Sequence, residues 1–278
     1  KVCIKRKSLC QAKEVYDHIR SHGVTLRGFL GDYLVVTLAK CGAIEDAFTV
    51  AWKLSSRTVF SYTAIISAHS DRGKGQEALE IYQKMQEEGI QANNYTFVSL
   101  FKACGAIRDL KRGRNLHVDA CKMGLELDGF IGNTLVSMYG KCGAIAEAEG
   151  VFYILPRQDI VSWNAMLSAY VEQGLAERAL GMYSRMHEED MSPNELTFVI
   201  ILQACGILAE KEDAQERAIK TLSLERGHEL HSDAVMRGYE LETLVGTLLL
   251  TMYGKCGVII EAENAFNFLP YYDINSWN

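Results

Sequence analysis

Lys141-Cys142-Gly143-Ala144-Ile145 repeats, residue for residue, the stretch Lys40-Cys41-Gly42-Ala43-Ile44 that stands 101 positions earlier. The same shift lays Gln203-Ala204-Cys205 on the closely similar Lys102-Ala103-Cys104. A third Lys-Cys-Gly, Lys255-Cys256-Gly257, follows after 114 positions instead. The 13 extra residues lie between Cys205 and His228, where the charged run Glu210-Lys211-Glu212-Asp213-Ala214-Gln215-Glu216-Arg217 has no counterpart in the earlier copy. They form an insertion within one repeat. A fixed period of this kind decides the architecture before any side-chain chemistry is weighed.

Each interval of 101 residues divides into three units, Val59 to Asn93 and Asn94 to Asp128 at 35 residues each and Gly129 to Asp159 at 31. The order recurs as Ile160 to Asn194, Glu195 to Glu242 and Thr243 to Asp273, with Gly28 to Thr58 ahead of them. Residues 1–27 read as the tail of a further unit and 274–278 as the start of another, so both ends fall within a repeat. Every unit carries two apolar stripes at i, i+3, i+4, i+7, the spacing that lines one face of a helix. In the unit from Ile160 these are Trp163, Met166, Leu167 and Tyr170, then Ala179, Met182, Tyr183 and Met186. Gln173-Gly174 punctuates that hairpin, as Arg72-Gly73 and the Cys-Gly pairs do elsewhere. A helix-turn-helix of this length cannot bury its own core, so neighbours must stack. The expected fold is all-α: a right-handed α-solenoid superhelix of stacked helix-turn-helix repeats, about 15 helices in a single array.

Composition agrees. Apolar residues make up 48% of the 278, and only three are proline, so few helices are interrupted. No run approaches the roughly 18 uninterrupted apolar residues of a membrane span, so no membrane contact is expected. Eight cysteines raise the question of a metal or a disulfide. Cys3, Cys104 and Cys205 follow the repeat, as do Cys41 and Cys142, and residues locked to a solenoid period are most simply small packing residues at helix ends. No C-x-x-C occurs, which removes the strongest zinc signature. His187-Glu188-Glu189 contains H-x-E, half of a zinc-deaminase signature, but its cysteine half is missing and the segment closes a predicted helix. The remaining histidines (His18, His22, His69, His117, His228, His231) stand without a Ser or Cys nucleophile arrangement, and no phosphate-cradling G-x-x-x-x-G-K-[ST] is present. Neither catalytic residues, metal nor cofactor are expected, and the chain is expected to be a monomer.

Repeats of about 34 residues occur in two related families. Val161-Ser162-Trp163-Asn164-Ala165-Met166-Leu167-Ser168-Ala169-Tyr170, Ala179-Leu180-Gly181-Met182-Tyr183-Ser184-Arg185-Met186 and Met191-Ser192-Pro193-Asn194 closely resemble the first helix, second helix and closing loop of a pentatricopeptide motif. The tetratricopeptide signature W-x-x-L-G-x-x-Y is absent. The alternation of lengths further resembles the PLS subclass, in which pure (P), long (L) and short (S) motifs take turns. Leu135-Val136-Ser137-Met138-Tyr139-Gly140-Lys141-Cys142-Gly143 is similar to the S type and recurs within Leu248 to Gly257. On this register residues 1–27 are a partial L motif, 28–58 S, 59–93 P, 94–128 L, 129–159 S, 160–194 P, 195–242 L with the insert, 243–273 S, and 274–278 the start of a P motif.

The resemblance implies sequence-specific binding of single-stranded RNA, about one base per repeat, by two or three side chains. In the family the fifth and last residues of a motif read the base edge. Carried over, the pairs are Thr63 with Asn93, Asn133 with Asp159, Asn164 with Asn194 and Thr247 with Asp273. Helix N-capping also favours Asn, Asp and Thr, and would account for those at the loop ends. The second residues, which in the family pack between bases, are Phe29, Phe60, Tyr95, Phe130, Val161, Leu196 and Leu244, and packing between repeats is their alternative use. The family's correspondences assign adenine, uracil, cytosine or uracil, and guanine to the four pairs. The fragment would then read A-N-U-Y-N-G from 5′ to 3′. The unassigned places belong to the L motifs, whose pairs are Val98 with Asp128 and Val199 with Glu242, because valine cannot hydrogen-bond a base. Asp32 with Thr58 departs from the usual combinations.

A net charge of −6 argues against binding dominated by counterion release. Phosphate contact is then local, and Lys40, Lys141 and Lys255, the thirteenth residues of the S motifs, are the candidates, although each also suits a helix C-terminus. The resemblance implies a mitochondrion or chloroplast, with RNA-processing factors as further partners and editing, splicing or stabilisation as the outcome. Catalytic editing would require a deaminase domain, which PLS arrays commonly precede. The rival reading is a protein-interaction scaffold without nucleic acid, favoured by the acidic balance and by the concave face that any solenoid offers.

Overall fold

The structure, a computed structural model, describes residues 8–22, 26, 29–54, 56–213 and 220–268. Cys3, Asp273, the partial motif at 274–278 and the centre of the insert lie outside the described residues. Among those described there are fifteen α-helices and no strand. The chain divides into two compact units, residues 1–142 and 143–278.

The first unit holds α1 (Leu9–Ser21), α2 (Phe29–Lys40), α3 (Ile44–Lys53), α4 (Val59–Asp71), α5 (Gly75–Glu87), α6 (Asn94–Ile107), α7 (Leu110–Lys122) and α8 (Gly129–Lys141). The second holds α9 (Ile145–Ile154), α10 (Ile160–Glu172), α11 (Ala176–Glu188), α12 (Glu195–Asp213), α13 (Lys220–Met236), α14 (Thr243–Cys256) and α15 (Ile259–Phe268). Each first helix of a hairpin packs on its own second helix and on the first helix of the next hairpin: α2 on α3 and α4, α4 on α5 and α6, α6 on α7 and α8. Within the second unit α10 packs on α11 and α12, and α12 on α13 and α14. First helices therefore form a continuous row in each unit.

The apolar stripes fill the core between the rows. Trp163, Met166, Leu167 and Tyr170 on α10 and Ala179, Met182, Tyr183 and Met186 on α11 are all buried, as the helical spacing requires. Tyr62, Ile65 and Ile66 on α4, and Phe97, Leu100 and Phe101 on α6, do the same one and two hairpins earlier. The hairpin turn is closed by a glycine in the left-handed region. Gly174 has φ +67° and its N–H donates to the Val171 carbonyl at 2.9 Å, while Leu175 N–H reaches back to Tyr170 at 2.9 Å. This paired closure satisfies the last carbonyls of α10.

Two further glycines make room for a methionine of the next first helix. A Cβ on Gly113 of α7 would lie 2.6 Å from Met138 Sδ on α8, and one on Gly227 of α13 would lie 2.5 Å from Met252 Sδ on α14. The two sites are 114 positions apart and so are repeat equivalents.

The same interval relates two histidines that the sequence reading left as scattered. His117 Nδ1 is 2.8 Å from the Tyr139 hydroxyl, and His231 Nδ1 is 2.8 Å from that of Tyr253. They tie α7 to α8 and α13 to α14, in each case the second helix of one hairpin to the first helix of the next. Burial lowers both imidazole pKa values from the ordinary 6.5, opposed by Glu126 at His117 and by Glu240 at His231, where His228 adds to the lowering. The unfolded chain then takes up protons at a higher pH than the folded one, so stability is lost as pH falls through about 6.5. Melting temperature is expected to drop between pH 7.5 and pH 5.5, and the drop should be smaller in the double variant His117→Gln, His231→Gln. An identical drop in that variant would assign the effect to other groups, such as the similarly lowered His69.

The insert lengthens its own hairpin. α12 has 19 residues against 14 in the repeat-equivalent α6, and α13 has 17 against 13 in α7.

Candidate nucleic-acid interface

At about 100° per residue, the fourth, seventh, eighth and eleventh residues of a first helix share one face, and the second residue stands almost opposite it. The fifth lies on the flank between the two. The structure follows this rotation. Phe29, Phe60, Tyr95, Phe130, Val161, Leu196 and Leu244 are each between 53% and 82% exposed. The third residues beside six of them, Ser61, Thr96, Ile131, Ser162, Thr197 and Val245, are buried. The second residues thus lie outside the packed core. Each unit presents an apolar side chain to solvent at every repeat, which is costly unless something covers it.

Five of the closing residues cap the helix that follows them. Asn93 Oδ1 accepts the Thr96 N–H at 2.9 Å, and Asn194 Oδ1 accepts that of Thr197 at 3.0 Å. Asp159 Oδ1 accepts the N–H groups of Val161 and Ser162 at 3.0 and 2.9 Å, and Asp128 does the same for Phe130 and Ile131 at 2.9 and 3.1 Å. Thr58 forms a capping box with Ser61. Glu242 precedes α14 without a side-chain cap. Capping therefore accounts for one acceptor on each of Thr58, Asn93, Asp128, Asp159 and Asn194.

Capping does not account for the fifth residues. Asn164 Nδ2 donates to Asn194 Oδ1 at 3.1 Å across 30 residues of sequence. Thr63 reaches Asn93 through Thr96: the Thr63 and Thr96 hydroxyls are 2.7 Å apart, and the Thr96 hydroxyl donates to Asn93 Oδ1 at 3.0 Å. Both pairs are thereby brought together. Asn133 lies half-buried on α8 in the first unit, while Asp159 lies in the second. The Thr247 hydroxyl donates to the Thr243 carbonyl at 2.8 Å, and its partner Asp273 lies outside the described residues. In the L motifs Val98 and Val199 are half-buried at the same place. Asp32 is buried, with Oδ1 unpartnered among the described residues.

Lys40, Lys141 and Lys255 are exposed in the last turns of α2, α8 and α14. Lys255 Nζ is 2.9 Å from Glu210 Oε1, so a carboxylate at the border of the insert already meets that ammonium. Cys41, Cys104, Cys205 and Cys256 are buried and Cys142 is half-buried, whereas Cys10 and Cys121 are exposed. Burial pushes the Cys104 thiol up to about 12, out of the range of a nucleophilic thiolate. Among the described residues no group of three or more His, Cys, Asp or Glu is placed to hold a metal, and no helix is long and apolar enough to cross a membrane.

Sequence reading missed Thr96 and Thr197. The signal was present, since Thr96-Phe97-Val98 recurs as Thr197-Phe198-Val199 at the 101-residue shift.

Comparison with known proteins places this arrangement. The PPR repeat family matches residues 57–106 and 158–206, and the PPR repeat matches residues 133–160. A chloroplastic pentatricopeptide repeat-containing protein of Arabidopsis thaliana is 34% identical over 277 residues, covering 100% of this chain and 43% of the relative. A second from that plant, CRR2, chloroplastic, is 32% identical and covers 99% of this chain and 41% of the relative. A putative mitochondrial one is 30% identical over 99% of this chain and 42% of the relative. The chain thus spans about two fifths of the length of these relatives. Among solved structures, the pentatricopeptide repeat protein PPR10 in complex with an 18-nt psaJ RNA element superposes with a TM-score of 0.60 over 92% of this chain and 42% of that one, at 19% identity. That likeness fixes the fold as the same α-solenoid type, and the sequence matches extend over essentially the whole length. The chain belongs to the pentatricopeptide repeat family.

Proposed function

We propose that this chain reads single-stranded RNA, about one base per repeat, as part of a PLS-type array acting in organellar RNA processing. The observation that carries the reading is the rotation along each first helix: an exposed apolar second residue, a buried third and a polar fifth that is linked to the closing residue of its motif directly at Asn164 and through Thr96 at Thr63. Exposed rings and branched aliphatic side chains suit the faces of any base, while flanking amides, hydroxyls and carboxylates suit base edges. The RNA named in the PPR10 complex and the organelles named for the Arabidopsis relatives support the same reading. On this proposal Lys40 and Lys141 contact phosphate, Lys255 does so once Glu210 yields it, and A-N-U-Y-N-G is the favoured sequence.

The test is equilibrium binding to short single-stranded RNAs that carry A-N-U-Y-N-G or a shuffled order of the same bases. The matched RNA is expected to bind about tenfold tighter or more, the discrimination that one well-made base contact provides. Equal binding to both, or to neither, would remove base reading; binding to neither is what a protein-interaction scaffold gives.

A further inference from the structure

Thr96 and Thr197 are fully buried, yet each makes more hydrogen bonds than its helix requires. Thr197 Oγ1 lies 2.8 Å from Asn164 Oδ1, 2.9 Å from Asn194 Oδ1, and accepts the Asn194 N–H at 3.1 Å. Thr96 Oγ1 is 2.7 Å from Thr63 Oγ1, 3.0 Å from Asn93 Oδ1, and accepts the Asn93 N–H at 3.3 Å. We propose that these two threonines are positioning residues that decide which hydrogen-bonding polarity the reading pair of the preceding motif presents to its base. The proposal rests on base reading by those pairs.

The proton count carries it. Asn194 Oδ1 has two lone pairs, which are filled by the Thr197 N–H and by Asn164 Nδ2. The one Thr197 hydroxyl proton therefore goes to Asn164 Oδ1. The Asn164 amide is then held at both ends, with its carbonyl on Thr197 and one N–H on Asn194. What the pair has left is mainly donors: the second Nδ2–H of Asn164 and both of Asn194, for which the described residues provide no partner. Such a pair favours a pyrimidine edge that offers acceptors, O2 with N3 in cytosine or the O2 or O4 carbonyl in uracil.

In the earlier repeat no amide N–H fills the second lone pair of Asn93 Oδ1, so the Thr96 proton goes there. Thr96 Oγ1 then accepts from the Thr63 hydroxyl, whose own lone pairs accept from no group among the described residues. This pair presents an acceptor from Thr63 beside donors from Asn93, a match for a base offering an amino group next to a ring nitrogen, as adenine does. The amide orientations are fixed independently, because the backbone N–H groups of Thr96 and Thr197 identify Oδ1 of each capping asparagine.

The contrast with the other motifs supports a specific role. Ser61 and Ser162, at the third place of the P motifs, donate instead to the carbonyls of Thr58 and Asp159, at 3.0 and 2.8 Å. In the S motifs that place is apolar, with Ile131 and Val245. Among the described residues, only the threonines at the third place of the L motifs are hydrogen-bonded to the fifth residue of the motif ahead of them.

The test measures, for wild type, Thr197→Val and Thr197→Ser, the ratio of affinities for RNAs carrying a pyrimidine or adenine opposite the Asn164 pair. The ratio opposite the Thr63 pair is measured on the same preparations, and Thr96→Val gives the reciprocal experiment. Valine at 197 should reduce the pyrimidine preference about five- to tenfold, the weight of about one hydrogen bond, because the Asn164 amide can then rotate. Serine should keep the preference, and the ratio at the Thr63 pair should be unchanged, which also reports that the array is folded. If wild type discriminates at the Asn164 pair and Thr197→Val and Thr96→Val keep their full ratios, the threonines are packing residues only. If wild type shows no discrimination there, base reading by the pair fails and the positioning role falls with it.

Discussion

Replacing Phe60, Tyr95 and Phe130 together with alanine is expected to weaken binding of the matched RNA by about 100-fold or more while leaving the melting temperature nearly unchanged. Base stacking on such side chains contributes about 1–3 kcal/mol per base, so three lost platforms remove at least about 3 kcal/mol. The reason stability should not follow is burial. Each ring is exposed, and the neighbouring third residues and the stripes beyond them form the core without it. A variant that loses stability in step with affinity would return these rings to a packing role. One that keeps its RNA affinity would show that they touch no base.

Trp163→Ala is expected to have the opposite profile, with a loss of about 3–5 kcal/mol in stability, the usual cost of removing a fully buried large aromatic. Trp163 is among the largest completely buried side chains and sits edge-on to Phe152, with ring centroids 5.2 Å apart at 80°. It also directly precedes Asn164, a proposed reading residue. A loss of that size is a large part of the total stability of an ordinary domain. Urea unfolding should show a clearly lower midpoint, with the α10–α11 hairpin melting before its neighbours if the repeats behave as a nearest-neighbour array. A midpoint shift worth less than about 1 kcal/mol would mean that the site collapses onto the gap.

The fold was legible because it is written in a period and two helical stripes, and both are strong patterns. Trp163 to Tyr170 and Ala179 to Met186 point inward for the reason their spacing gives, and Gly174 closes the turn where Gln173-Gly174 marked it. The interface was legible in part. The rotation that exposes Phe60 and buries Ser61 follows from about 100° per residue, once the start of the helix is known. What the sequence did not display is hydrogen-bond connectivity. Thr96 and Thr197 look like ordinary third-position caps, and only three-dimensional proximity to Thr63 and Asn164 gives them a second partner. His117 and His231 were hidden by the insert, which moves the second copy by 13 positions and makes an exact repeat look irregular. The Lys255 contact with Glu210 was hidden for the same reason, since Glu210 belongs to the charged run that has no counterpart in the first copy.

The most direct measurement is the base preference of Asn133→Thr. Asn133 with Asp159 is proposed to read uracil, and threonine with aspartate is the combination proposed to read guanine at the Thr247 motif. RNAs differing only at that one base, bound to wild type and to Asn133→Thr, should show the favoured base moving from U to G, with affinities for changes at the other bases unaltered. An unchanged preference for U, or an equal loss of affinity for all four bases, would contradict reading by residue pairs.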